Sequence, residues 1–126
     1  MTRLLDQTAP VCTVNIADDL AAQKWEELKL DVVAGDPRCR VMRLRLHGAR
    51  TATHRSVLFE VEPSTFKWQF EYDESLFIAA GEATVTFRSG EVITLKAGTI
   101  CSVLAGESST WQVHKPLRKF VVLTSS

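Results

Sequence analysis

The sequence predicts an all-β domain, a small sandwich or barrel of short antiparallel strands. Gly81, Gly90, Gly98 and Gly106 fall nine, eight and eight residues apart, the beat of turns between short strands. Between these glycines apolar and polar residues alternate, the two-residue period of a strand with one buried face. With 126 residues, 45% of them hydrophobic and 24% charged, the chain has the size and composition of one globular core.

Taken in order, residues 1–30 read as an N-terminal arm. Residues 1–14 show no period, and Asp18 could cap a short helix carrying Leu20, Ala21, Trp25 and Leu28. Residues 31–126 hold the barrel strands. Met42, Leu44 and Leu46 alternate with Arg43 and Arg45, which predicts a strand with the Met and Leu side chains as its apolar face. Val57, Phe59 and Val61 alternate in the same way with Leu58, Glu60 and Glu62. Phe66, Trp68, Phe70 and Tyr72 alternate with Lys67, Gln69 and Glu71, so one strand would direct four rings to one side. Ala83, Val85 and Phe87 share a face opposite Thr84, Thr86 and Arg88, and Ser89-Gly90 then offers a two-residue hairpin turn, since glycine tolerates positive φ. Strands over 92–95, 100–104, 110–113 and 120–123 complete the set, with turns at Ala97-Gly98 and Ala105-Gly106.

Charge and composition exclude several classes. Fifteen Lys and Arg balance fifteen Asp and Glu, so no overall basic field exists to drive nucleic-acid binding. No window reaches the roughly 18 uninterrupted apolar residues of a membrane span, and the opening MTRLLDQTAPVCTV lacks the long apolar region of a secretion signal. A cytoplasmic protein with no membrane or nucleic-acid partner is expected. Cys12, Cys39 and Cys101 are odd in number and widely spaced, with no CxxC pair, which predicts reduced thiols. Cys101 stands in the apolar run 99–104 and reads as a small buried hydrophobe rather than a nucleophile. Motifs of the form GxSxG, GxxxxGK, GxGxxG and HExxH are absent from the sequence.

Several motifs stand at fixed intervals. Phe66-x-Trp68 leads to Tyr72-Asp73-Glu74 and, after six intervening residues, to Gly81. Ala97-Gly98 is followed by Leu104-x-Gly106, and Trp111-x-Val113 by Pro116-x-Arg118-Lys119, while Gly35-Asp36-Pro37 stands upstream. On these motifs residues 31 to 123 resemble the cupin superfamily, and more narrowly the small cupins grouped with ureidoglycine aminohydrolase and with the ethanolamine-utilisation cupin. The resemblance implies a double-stranded β-helix, a jelly-roll barrel whose mouth in many members holds a divalent metal on three histidines and a glutamate. By that pattern the histidines would fall at Trp68, Phe70 and Ser109, and only Glu74 keeps a ligand group. A register one residue off would put Lys67 and Gln69 at the first pair, which is no better. One carboxylate is too few for a transition metal that needs three or four protein ligands, so no cofactor beyond a weakly held divalent ion is expected. Leu104 stands where the second motif usually has proline, and Thr99 where the subgroup usually has an acid.

Facing inward, Trp68, Phe70 and Tyr72 with Ser109, Trp111 and Val113 opposite would line an aromatic pocket for a small organic molecule. The alternative is that these rings fill the barrel completely. Glu74 in such surroundings would act as a general acid or base with Tyr72 as its polar partner, or would accept turn hydrogen bonds or pair with an arginine. His54 lies on or near an adjacent strand and could join Glu74 in a substitute site, whereas His47 and His114 form no HxH pair. From Pro37 to Phe59 there is no acid, while Arg38, Arg40, Arg43, Arg45, Arg50 and Arg55 supply six positive charges. They could hold a carboxylate or phosphate, or form an outward face paired with Glu60, Glu62 or a partner subunit. The leading expectation is a homodimeric cupin binding a small organic metabolite in a metal-poor pocket. Its rivals are a lyase, isomerase or aminohydrolase-like enzyme, and an interaction module with a filled barrel.

Overall fold

In a computed structural model the described residues are 20–24, 27–44 and 54–124, with only the backbone of His54 included. They form β1 (Ala21–Ala22), β2 (Asp31–Gly35), β3 (Arg40–Leu44), β4 (His54–Val61), β5 (Ser64–Gln69), β6 (Asp73–Phe87), β7 (Val92–Lys96), β8 (Ile100–Val103) and β9 (Ser108–Thr124), all paired antiparallel. No helix occurs among the described residues, and so none long and apolar enough to cross a membrane.

The two longest strands carry the architecture. β6 and β9 pair with each other along nearly their whole lengths, from Asp73 opposite Thr124 to Phe87 opposite Ser109. On its other edge β9 is shared: residues 108–113 pair with β5 and residues 117–124 with β4. The far edge of β6 is divided in the same way, residues 74–77 taking β8 and residues 82–86 taking β7. One layer therefore runs β1-β3-β4-β9-β6-β8 through the second half of β9, and the other runs β2-β5-β9-β6-β7 through the first half.

The bend between the layers has a local cause. The β6–β9 register slips repeatedly between Ile78 and Ala83, and bulges of this kind increase bend and twist. At the centre Gly81 has φ of +94°, and a Cβ built there would lie 2.1 Å from the Pro116 carbonyl oxygen and 2.7 Å from Leu117 Cα. Only glycine allows backbone to come that close to backbone. Pro116 faces it with no N–H to leave unsatisfied at the break in the ladder.

Between the layers lies the core, in which Val61, Ile78, Val85, Leu95, Trp111 and Leu117 are almost wholly buried. Phe66 and Trp111, cross-strand neighbours on β5 and β9, stack with centroids 6.0 Å apart. Gly90, Gly98 and Gly106 fall at turns with positive φ, as their spacing predicts, whereas Gly81 lies inside β6 at its bulge and separates no two strands.

Several details differ from the sequence expectations. The strands expected at 110–113 and 120–123 are one continuous strand, β9. The N-terminal segment is not helical where it is described: Ala21 and Ala22 pair with β3, and residues 27–29 turn, while Asp18 and Trp25 lie outside the described residues. The strand expected to run from Phe66 through Tyr72 ends at Gln69. The hairpin after Phe87 uses three residues, with the Phe87 N–H donating to Glu91 O and Gly90 following the turn instead of forming its centre. Finally, β3 shows Val41 and Arg43 to the core side and Met42 and Leu44 to the outside. Met42 sits beside Leu58, Phe120 and Phe77 across successive strands on that outer face. Both faces of this layer are apolar, so alternation alone could not say which one is buried.

The Gly81–Pro116 contact yields a controlled test. Gly81, Gly90 and Gly98 share the same φ of +94°, but a Cβ at Gly90 or Gly98 meets nothing within 4 Å. By urea denaturation, Gly90→Ala and Gly98→Ala should each cost about 1 kcal/mol from backbone strain, and Gly81→Ala at least about 3 kcal/mol. Equal losses at all three sites would remove the close approach from the account of the bend.

Candidate functional site

A cavity of about 340 Å³ opens between the layers, beside the second half of β9. Strand pairing arranges its wall in rows. Val61 lies opposite Leu117; Val41, Phe59 and Lys119 form the next row; Arg43, Val57 and Val121 follow; Arg55 and Leu123, with Glu74 beyond, complete it. Trp68, Trp111 and Phe66 close the other side, and the segment holding Leu28 and Leu30 covers one end. The N-terminal arm thus supplies part of the wall from residue 27 onward.

Two buried charges meet in this apolar setting. Glu74 is 4% exposed and Lys119 is 9% exposed. Lys119 Nζ donates to Glu74 Oε2 at 3.3 Å, reaching from its own row toward the Glu74 row. The same ammonium stands 4.5 Å from the centroid of the Trp111 ring and 5.2 Å from that of Phe59. A cation against two aromatic faces and one carboxylate is compensated for its lost hydration from three sides. Leu117, Lys119, Val121 and Leu123 alternate along β9, so the strand period places Lys119 on the inward face. In the sequence Lys119 stands out only as the end of Pro116-x-Arg118-Lys119, a motif that assigns it no role.

The expected site residues divide. Glu74, Tyr72, Trp68 and Trp111 all line the cavity. Tyr72 is half-buried in the β5–β6 connection, with the Arg55 guanidinium 5.6 Å above its ring. Phe70 does not line the cavity: past the end of β5 it is buried, packed edge-on to Trp68 and against Phe87. Its backbone pairs with the turn at 106–107, which turns the ring into the core. Ser109 is buried as a link, donating to Trp68 O at 2.9 Å and accepting from Trp111 Nε1 at 3.0 Å. His54 lies on β4, but its side chain is outside the described residues, as is all of His47. His114 is exposed and bonds through Nε2 to Thr84 Oγ1.

The arginine-rich segment also divides, by face. Arg40 turns outward and, with Arg118, pairs with Glu60. Arg43 and Arg55 line the cavity. Cys39 is buried and Cys101 half-buried, and burial raises both thiols, Cys39 to about 11.

Among the described residues no three His, Cys, Asp or Glu side chains converge on one point. Among the described residues the donor set does not fit the metal that the resemblance implies: Glu74 already faces an ammonium, and Trp68, Phe70 and Ser109 stand where the resemblance puts the histidines.

Two curled antiparallel layers joined through shared long strands, with a polar group set in the cavity between them, make this a cupin jelly roll. The model of the EutQ-like cupin domain matches residues 48–120, and the chain belongs to that family. Among solved structures, a putative ethanolamine utilization protein Q from Salmonella typhimurium is 21% identical, with a TM-score of 0.59 over 69% of each chain. The EutQ protein of Clostridium difficile is 17% identical with a TM-score of 0.61, covering 71% of this chain and 69% of that one. A DUF861-family protein from Thermotoga maritima is 29% identical over 52% of this chain and 75% of its own, with a TM-score of 0.51. None of the curated proteins compared matches the chain.

Two outcomes follow from these buried groups. Lys119→Met leaves Glu74 without its cation and should cost about 3 kcal/mol in chemical denaturation, while adding Glu74→Gln should recover most of that loss. Additive losses would mean that the pair is not coupled. Separately, the raised Cys39 pKa means that the folded state keeps a proton which the unfolded state releases. Stability should therefore fall as pH rises from about 9 toward 11, and Cys39→Ala should flatten that part of the melting-temperature profile.

Proposed function

We infer that this chain binds a small organic molecule in the cavity between its layers, with the Glu74–Lys119 pair as the polar contact and Trp68, Trp111 and Phe59 as the apolar walls. The observation that carries this reading is the cavity itself: about 340 Å³ is left beside a buried ion pair, within the size range of small-molecule sites. A barrel filled by its own rings would leave no such space. The ammonium of Lys119 supplies the positive charge at the glutamate, so binding requires no resident metal. The finer likeness to ureidoglycine aminohydrolase-like cupins belongs to the same proposal, supported by Trp111-x-Val113 and Pro116-x-Arg118-Lys119.

A second reading is favoured by the pair's chemistry. A carboxylate and an ammonium in contact within an apolar cavity form a proton acceptor and a proton donor side by side. Glu74 would then exchange a proton with a bound carbon or nitrogen acid, with Tyr72 near the mouth as a second hydrogen-bonding group.

The test is a fragment screen by ¹H–¹⁵N NMR. Binders are expected to shift the indole signals of Trp68 and Trp111, and Val57→Trp, which sets an indole into the cavity beside Phe59 and Val121, should abolish those shifts in a protein that still melts cooperatively. Shifts that persist in Val57→Trp would overturn the reading, as would one transition metal per chain by elemental mass spectrometry for its metal-free part. For the enzymatic form, a bound ligand in D₂O should exchange a C–H hydrogen in the native protein and not in Glu74→Gln. Unchanged exchange in that variant excludes Glu74 as the base.

A further inference from the structure

The exposed rim of this cavity carries two arginines that a purely apolar ligand does not require. Arg43 lies opposite Val57 on the inner face, and Arg55 is two residues from Val57 on the same strand, so the two are diagonal cross-strand neighbours. Diagonal positions on one face lie about 7–8 Å apart, within reach of two long side chains closing on one group.

Both guanidiniums are braced. Arg43 Nη1 donates to Gln23 Oε1 at 3.2 Å, and Gln23 in turn donates to Glu27. Arg55 Cζ lies over the Tyr72 ring, 5.6 Å from its centroid, a cation–π contact. Two of the three lining carboxylates are already paired, Glu74 with Lys119 and Glu71 with Lys29. Among the described residues neither Arg43 nor Arg55 has a carboxylate within ion-pair distance.

We propose that Arg43 and Arg55 form a carboxylate-binding fork at the cavity mouth, so that the ligand is an organic acid whose apolar body lies against Trp68 and Phe59 and whose carboxylate faces outward. A planar carboxylate matches the bidentate geometry of a guanidinium, and two forks at one mouth fix its orientation. The apolar wall and the modest volume favour a monocarboxylate with a hydrocarbon body over a phosphate ester, whose further polar groups would meet Val57 and Val121. This deepens the ligand-binding reading above and rests on it.

Matched pairs separate the two. Phenylacetate and phenylacetamide, 3-phenylpropionate and its amide, and hexanoate and hexanamide would be titrated at neutral pH by calorimetry and by the Trp68 and Trp111 signals. Each acid that binds is expected to bind at least about tenfold more tightly than its amide, with an advantage that shrinks as salt is raised. Arg55→Gln and Arg43→Gln should each remove most of that advantage while leaving amide affinity unchanged, in proteins whose melting temperature matches the native one. Equal binding of acids and amides overturns the fork and leaves the cavity reading standing. So does a variant that weakens acid and amide alike. Failure of every pair to bind in the cavity overturns both.

Discussion

Everything in this fold depends on one approach of backbone to backbone, that of Gly81 to Pro116. Were β6 and β9 to continue flat, β4 and β5 would lie in a single plane along one edge of β9, and β7 and β8 along the far edge of β6. The bulges around Gly81 and the break at residues 114–116 turn that plane back on itself. The same contact creates an inside and so decides which side chains lose water. Lys119 lies three residues past Pro116 and falls on the concave side with Leu117 and Val121.

Once inside, charge obeys different rules. An exposed lysine pairing with a glutamate contributes little, whereas Lys119 and Glu74 must remain together because neither has enough water to stand alone. The rings of Trp111 and Phe59 make this position tolerable for a cation, and the ammonium makes it tolerable for the carboxylate. The cavity thus combines a neutral polar base with a mouth that carries excess positive charge through Arg43 and Arg55.

Much of this could be read from the residues, and the failures have physical causes. Glycine spacing located the turns because positive φ is a local demand that only the backbone sets. The placing of Tyr72, Glu74, Trp68 and Trp111 near one another followed from strand period and motif spacing. Phe70 turns away from the cavity because strand period holds only while a strand lasts, and β5 stops at Gln69. For Ser109 the period was right, but its hydroxyl is consumed by Trp68 and Trp111. An arginine between Met42 and Leu44 looks like the wet side of a strand, so the sequence leaves open for Arg43 both an outward face and an anion site. Alternation cannot choose between them in a layer with apolar residues on both faces, where long-range pairing to Val57 sets the direction. Lys119 was legible in the alternation of Leu117, Val121 and Leu123, but a charge on an apolar stripe invites dismissal.

The position of β9 has a consequence for how the chain comes to be folded. It is the last strand among the described residues, and it contributes a member to each layer while holding β4, β5 and β6 together. Until residues 108–124 have been synthesised, the apolar faces of β4, β5 and β6 have no common partner. The domain therefore assembles in one late, largely non-local step, of the kind that is slow and leaves sticky strands waiting. A chain cut before residue 108 would keep β4, β5 and β6 but lose the strand that joins them.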